Sequence, residues 1–373
     1  MKKMLFFAAM SAIALTSCVN EDDFSGENQQ LSQELKFDAP VMKQTRANVN
    51  GEISGVKYPE AENFVVFCKS YKNGFKGWTS SDEISNYFNA NGEIAKSGYN
   101  ASYWATDIVH YWPETEYNLA FAAYSPADMA LTPAPAVSHT EKGLQITDFK
   151  TQAKADDQYD LMYTQRNYDL NKAVYANSAV PLAFRHALSS IVFSTQKSSS
   201  DVKYEITKIQ IDGKFCQQAD FDQNITETYA GGAYSENENP TWNNLEYTGE
   251  SVNYVPTLAG TVDVPVEAPL QFTSGTSALL LIPQEVPEEA TITVYYTKTT
   301  NPGQAGEKSL STSATIKLRD FFHTNSGVKT YVTEWERGKR YIYRIAFGAN
   351  TRIYFEPSVT DWVTEPTLVY TIQ

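Results

Sequence analysis

The residues best placed for chemistry sit at the two ends of the chain. Cys18 closes a run that starts with Lys2 and Lys3 and continues as an apolar stretch from Met4 to Leu15, broken only by Ser11. That stretch is too short to cross a bilayer as a helix and reads as an export signal, residues 1–18. Cys18 follows Leu15, Thr16 and Ser17 directly, and its thiol is a nucleophile that could carry an acyl chain. Each buried CH₂ of an acyl chain contributes ~0.8 kcal/mol, so two or three chains hold a protein firmly to a membrane. An ordinary cleaved signal with a chance cysteine is the competing reading. Arg46, between Thr45 and Ala47, is the first arginine of the chain. An exposed arginine in a loop is open to any trypsin-like protease, and a cut there parts Cys18 from everything after Ala47. Just ahead of it Leu35, Phe37, Ala39 and Val41 alternate with Lys36, Asp38 and Pro40. Leu368, Tyr370 and Ile372 repeat that period of two at the other end.

Catalytic patterns are missing. His110, His139, His186 and His323 form no HExxH and no i, i+4 pair, which leaves zinc chemistry unsupported. There is no GxSxG elbow. Asp220, Asp222 and Asn224 copy the start of a calcium loop, but Ile225 replaces its glycine and Gly231 its glutamate. Two solvated strand-end carboxylates are the better account. Carboxylates are plentiful enough that a glycoside-hydrolysing pair stays open. Trp78, Trp104 and Trp242 could stack on sugars, although sandwich tryptophans are more often buried. No catalytic residue, metal or cofactor is assigned.

The elements that must position these residues are strands. The chain has 373 residues, with 24 Tyr and 19 Phe and no long Leu- or Ala-rich periodic stretch beyond the signal, which is the usage of a β protein. A formal net charge of −14 argues against nucleic acid, whose binding needs basic stripes, and against a peripheral grip on anionic lipid. Cys68 and Cys216 lie in strand-like contexts and read as two buried thiols more readily than as a disulfide. Strands are expected at 64–68, 108–112, 119–124, 144–149, 182–194, 204–211, 279–282, 292–296, 314–318, 341–347 and 353–355. One short helix is expected from Ser81, with Ile84, Tyr87 and Phe88 on one face. The polar stretches 197–201, 231–244 and 297–308 read as loops. The fold class is therefore all-β, two stacked antiparallel β-sandwiches. The organisation is a signal (1–18), a tether and first strand (19–46), an N-terminal sandwich (47–178) and a C-terminal sandwich (179–373).

Several segments resemble one known family. Tyr111-Trp112-Pro113 followed by Leu119 to Pro126, Tyr159 to Tyr163, Leu182 to Ile191, Leu279 to Gln284, Trp335 to Tyr343 and Asp361-Trp362 resemble, in order, the segments of the fimbrillin family. The Leu15 to Cys18 ending resembles the bacterial lipobox. Glu21-Asp22-Asp23 resembles the acidic signals that send lipoproteins to the surface in some Gram-negative anaerobes, though a solvated tether explains it equally. The fimbrillin resemblance implies a pilin of type V pili with two transthyretin-like sandwiches. It further implies export as an outer-membrane lipoprotein anchored at Cys18, and maturation by an arginine-specific protease between Arg46 and Ala47.

In that family the strand ahead of the cut leaves, which gives Leu35, Phe37, Ala39 and Val41 the role of a displaced strand. Removing a strand bares backbone N–H and C=O groups that template another chain's strand. Leu368, Tyr370 and Ile372 are the candidate donors. The alternative is that they form the ordinary last strand of their own domain, although Pro366 favours a start at a sheet edge. The expected function is a structural subunit of a cell-surface fimbrium that polymerises by protease-triggered strand exchange. Its partners would be other pilin subunits and a host glycan or protein receptor. A pilus-tip adhesin and a surface glycan-binding lipoprotein are the alternatives, and no enzymatic activity is expected.

Overall fold

The structure is a computed structural model. It describes residues 33–41, 58–74, 77–78, 84–98, 103–176, 178–247, 249–266, 268–273, 277–325, 328–348 and 353–361; for 323–325, 328–329 and 353–361 apart from Ser358 it describes the backbone alone. Almost all regular structure is β, as expected, with a one-turn helix at Lys172–Tyr175.

The N-terminal body is a flattened ring of pairings. Phe64–Lys72 lies between Glu93–Ser97 and Tyr117–Ser125, all antiparallel. On one side the ladder continues through Trp104–Thr106 to Phe37. On the other it continues through Met162–Thr164 to Phe184–His186. The ring then shuts, because Phe37–Asp38 pairs in parallel with Val180–Pro181, just ahead of Phe184–His186 on the same stretch. Every stave alternates, so one set of apolar side chains fills the interior: Phe64, Val66 and Cys68 from one strand meet Leu119, Phe121 and Ala123 from the next. The other set, Val65, Phe67, Ala122 and Tyr163, faces outward and is covered by a second sheet.

That second sheet draws on both sides of residue 178. Its order is Thr241–Tyr247, Cys216–Asp222, Gly143–Lys150, Ala136–Thr140. Phe149, Phe221 and Trp242 pack between it and the ring. The C-terminal body is a sandwich of two sheets. One holds Ser189–Lys197, Lys339–Phe347 and Ile353–Asp361, the first two running parallel. The other holds Val202–Gly213, Thr291–Thr300 and Lys308–Lys317. Ile191, Phe193, Tyr341, Tyr343 and Ile345 close on Ile206, Ile209, Ile211, Ile292 and Val294. Trp335 is fully buried there, stacked on Phe215 with centroids 5.3 Å apart, and donates Nε1–H to the Tyr343 hydroxyl.

Buried polar groups join segments that are distant in sequence. The Asp160 carboxylate and His186 Nδ1 are hydrogen-bonded at 2.9 Å with both side chains almost fully enclosed. Gln158 accepts from the Leu280 N–H at 2.6 Å, and Gln284 accepts from the Cys216 N–H at 2.7 Å. A buried polar group left without its partner is costly, so the Gln158 and Gln284 bonds fix where the bodies meet, and the Asp160–His186 bond holds Phe184–His186 to its neighbour within the ring.

Three local expectations are corrected. Ser81 lies outside the described residues, and the described part of the expected helix is extended instead: Ser85–Asn86 pairs with Lys69–Ser70, and the Tyr87 and Phe88 N–H groups both donate to the Cys68 carbonyl. A one-turn helix forms few bonds for its nucleation cost, and an open strand edge beside it offers more. At 108–112 there is only a bridge at Tyr111; the strand lies earlier, at Trp104–Thr106, while Ile108 and Val109 are exposed. The polar stretch 231–244 is mostly strand. Ile225–Ala230 and Ala233–Glu238 form a hairpin around Gly231 and Gly232, both at positive φ, and Thr241–Tyr247 follows.

Candidate assembly groove

Residues 33–41 occupy a slot in the ring. Leu35, Phe37, Ala39 and Val41 are each at most 3% exposed, while Lys36, Asp38 and Pro40 between them are half-buried. The backbone is tied on both sides. On one, Leu35 donates to the His110 carbonyl (2.8 Å) and Trp112 donates to Gln33 (2.9 Å). On the other, the N–H groups of Val180, Leu182 and Phe184 donate to the carbonyls of Lys36, Asp38 and Pro40 at 2.7, 2.7 and 2.9 Å. Pro40 has no N–H to offer, and only its carbonyl is used in these bonds.

The slot has distinct side-chain sites. Phe37 meets Phe121 edge-on at 5.6 Å and Phe88 at 6.4 Å. Ala39 occupies a small site, and its carbonyl accepts from the Tyr58 N–H. Tyr58 stacks on Phe184 at 5.0 Å and lies edge-on to Phe64 and Trp104. Its hydroxyl is 2.6 Å from Ser125 Oγ, and burial pushes its pKa up. Trp104 is fully buried and donates Nε1–H to the Glu62 carbonyl. Trp112, 4% exposed, packs on Phe121 and Tyr175. The walls of the slot are thus Trp104, Phe121, Tyr58 and Phe184, with Phe88 beside Phe37. Sequence reasoning found the occupant but missed Tyr58 and the parallel neighbour at 180–184. The alternation in 33–41 was the only signal, because a parallel partner about 140 residues away leaves no local mark.

The other expected site residues, Cys18, Arg46, Ala47, Leu368, Tyr370 and Ile372, lie outside the described residues. The last described strand, Ile353–Asp361, ends opposite Lys339, beside Gly338, whose N–H donates to the Leu188 carbonyl.

The residues weighed for catalysis do not converge. His110 meets Glu93 at 2.9 Å, His186 is held by Asp160, and His139 is buried between Phe67 and Trp78. Among the described residues no group of three or more His, Cys, Asp or Glu could hold a metal ion. Asp220 accepts from the Asp148 N–H and from Asn244, and Asp222 accepts from Gln145. Cys68 and Cys216 are free and buried; burial pushes the Cys216 thiol up to about 11 and raises Cys68 well above the usual thiol value. Trp78 and Trp104 are buried and Trp242 is half-buried, its Nε1–H donating to Ala187, so none forms an open platform.

A sequence model described as fimbrillin-like matches residues 45–362, beginning just past the slotted strand. A fimbrial protein from Bacteroides vulgatus is 15% identical, with a TM-score of 0.53 over 88% of this chain and 99% of that one, a likeness that shows the fold. The tip fimbrial protein Mfa3 from Porphyromonas gingivalis, with C-terminal truncation, is 9% identical over 88% and 100% of the two chains, with a TM-score of 0.39. No curated protein sequence matches.

Proposed function

The chain belongs to the fimbrillin-like family, and on that premise we propose that it is a structural subunit of a cell-surface fimbrium that polymerises by strand exchange. The observation that carries this reading is the slot: four alternating, fully buried side chains on a strand that closes an otherwise open ring. In the uncut chain this strand is tethered to its slot, and its high effective concentration excludes any competitor. A cut between Arg46 and Ala47 removes that advantage. The strand then dissociates as a separate peptide, carrying Cys18 and its lipid with it. What remains is a groove with unpaired carbonyls and N–H groups along both walls.

Leu368, Tyr370 and Ile372 of another subunit would fill it. Exchange replaces one ladder by another of similar length, so its free-energy change is a small difference. The donor's fit therefore decides the outcome. Entering in the direction of residues 33–41, Leu368 takes the Leu35 site, Tyr370 the Phe37 site and Ile372 the Ala39 site. The third match is tight, since overpacking costs roughly 1–3 kcal/mol. Before maturation the lipid on Cys18 would hold the precursor at the outer membrane.

The test is a denaturing gel run without heating, after limited digestion with an arginine-specific protease. Cleaved wild type should give a ladder of strand-exchanged oligomers, and Arg46→Ala should stay monomeric. A ladder from Arg46→Ala, or a cleaved wild type that stays monomeric, overturns the proposal.

A further inference from the structure

Beside the groove, a cleft of about 270 Å³ opens where the chain leaves the ring between Gln165 and Pro181. Tyr168, Leu170, Tyr175 and Pro181 supply apolar and aromatic walls, and Gln165 and Asn167 supply two planar amides. No carboxylate lines it. The two arginines in reach are already committed. Arg166, whose side chain is fully enclosed, pairs with Glu236 at 2.6 Å and donates to the carbonyls of Thr140 and Glu141. Arg185 pairs with Glu238 at 2.7 Å and donates to Gln165 Oε1. An anionic ligand would find no open cation here, and a cationic one no carboxylate.

The groups left for a ligand are neutral and of both kinds. Gln165 spends its oxygen on Arg185, which leaves Nε2–H as a donor. Asn167 donates to the Pro181 carbonyl, which leaves Oδ1 as an acceptor. The Tyr175 hydroxyl can do either. Two tyrosine rings provide faces for apolar C–H groups: Tyr168 is braced edge-on by Tyr234 at 5.0 Å, and Tyr175 is backed by Trp112 at 6.0 Å. Neutral donors and acceptors beside aromatic faces suit a ligand that is hydroxylated on its rim and apolar on its face. A volume below the roughly 300–1,000 Å³ of sites for drug-sized ligands fits a single ring.

We propose that this cleft binds one neutral hexose unit of a saccharide. Pro181 and the Trp112 behind Tyr175 also border the slot, so the site is tested on uncut Arg46→Ala protein, in which the slotted strand stays in place and failure of either idea is seen separately. The probes are glucose, galactose and mannose, with glucuronate and a neutral capped dipeptide as controls, read by saturation-transfer NMR and titration.

At least one hexose is expected to bind with millimolar affinity, and glucuronate roughly tenfold more weakly. Gln165→Ala, an exposed change, and Tyr168→Ala should each weaken the hexose about tenfold or more. Where Tyr168→Ala melts early, Tyr175→Phe replaces it and should weaken binding severalfold through loss of the hydroxyl. The proposal is overturned if no hexose binds at roughly 10 mM, if binding survives these substitutions unchanged, or if glucuronate or the dipeptide binds as well as the hexose.

Discussion

Phe37→Ala separates a strand that merely lies on the ring from one that completes its core. Phe37 is fully buried, edge-on to Phe121 and Phe88, and paired at Trp104. Truncating such an aromatic costs roughly 3–5 kcal/mol. In the uncut precursor the whole cost appears in the unfolding free energy, because the strand cannot leave without opening the ring. After cleavage at Arg46 the same loss falls on retention of the cut strand. At 1.4 kcal/mol per factor of ten, the peptide should bind about a hundred- to several thousand-fold more weakly. The effect should appear mainly as faster release, and any lag before oligomers form should shorten in step. Urea denaturation of the precursor gives the first quantity, and release of a fluorophore-labelled N-terminal piece gives the second. Lys36→Ala, at a half-buried position one step away, is the control and should stay within about 0.5 kcal/mol. A Phe37→Ala precursor as stable as wild type, or a cut strand released no faster, would refute the claim that residues 33–41 form part of the core.

Tyr370→Phe should strengthen donation, because the Phe37 site is lined by the rings of Phe88 and Phe121 and a buried hydroxyl without a partner costs about 1–3 kcal/mol; a competition between labelled donor peptides reads it, and weaker binding of the Phe peptide would show a different register. Cys18→Ala should move the precursor out of the outer-membrane fraction, and unchanged fractionation would remove the lipid from the account. His139 sets a pH dependence: both ring nitrogens lack hydrogen-bond partners, and burial, then Arg166 and Lys69, hold its pKa well below the ordinary value. A depressed histidine pKa gives stability that is present above about pH 6.5 and lost as pH falls, by up to about 1.4 kcal/mol per unit. Wild type should therefore lose more stability than His139→Phe between pH 7 and 5 in urea titrations, and parallel curves would contradict this.

The parts of the fold legible in the sequence are those where one face of a strand is buried and the pattern is local. The alternation of Leu35, Phe37, Ala39 and Val41 marks a half-buried stave, and the apolar runs at Leu119–Ala123 and Leu279–Ile282 mark strands buried on both faces. The hairpin at 225–238 was not legible because polar contacts hold it. Glu236 takes Arg166, Trp78 Nε1–H and the Tyr234 hydroxyl, and Glu227 takes the Trp78 N–H. Its segment reads as a solvated loop until its distant partners are known. The described part of the helix expected from Ser81, residues 84–88, is extended for a related reason: spacing alone cannot weigh one helical turn against the free edge of Phe64–Lys72. Of the groove, the occupant was visible and the walls were not, since Tyr58, Trp104 and Phe184 are brought together only by the closure of the ring.

That closure gives the slotted strand its physical logic. An open sheet edge invites pairing with any extended chain, and proteins suppress such edges with charges, prolines or covering elements. Here residues 33–41 cover two edges at once, Trp104–Thr106 with the 110–112 stretch on one side and 180–184 on the other. Under the proposed strand exchange, a strand in that position would keep the chain from premature pairing while it is tethered, and it would define the direction, length and pocket sizes that any replacement must match. Protection and assembly specificity would then reside in the same four side chains. Substitutions of the two occupants of the alanine-sized site should accordingly have separate signatures: enlarging Ala39 should loosen the tethered strand without touching the donor, whereas shrinking Ile372 should ease entry of the donor without loosening the tethered strand.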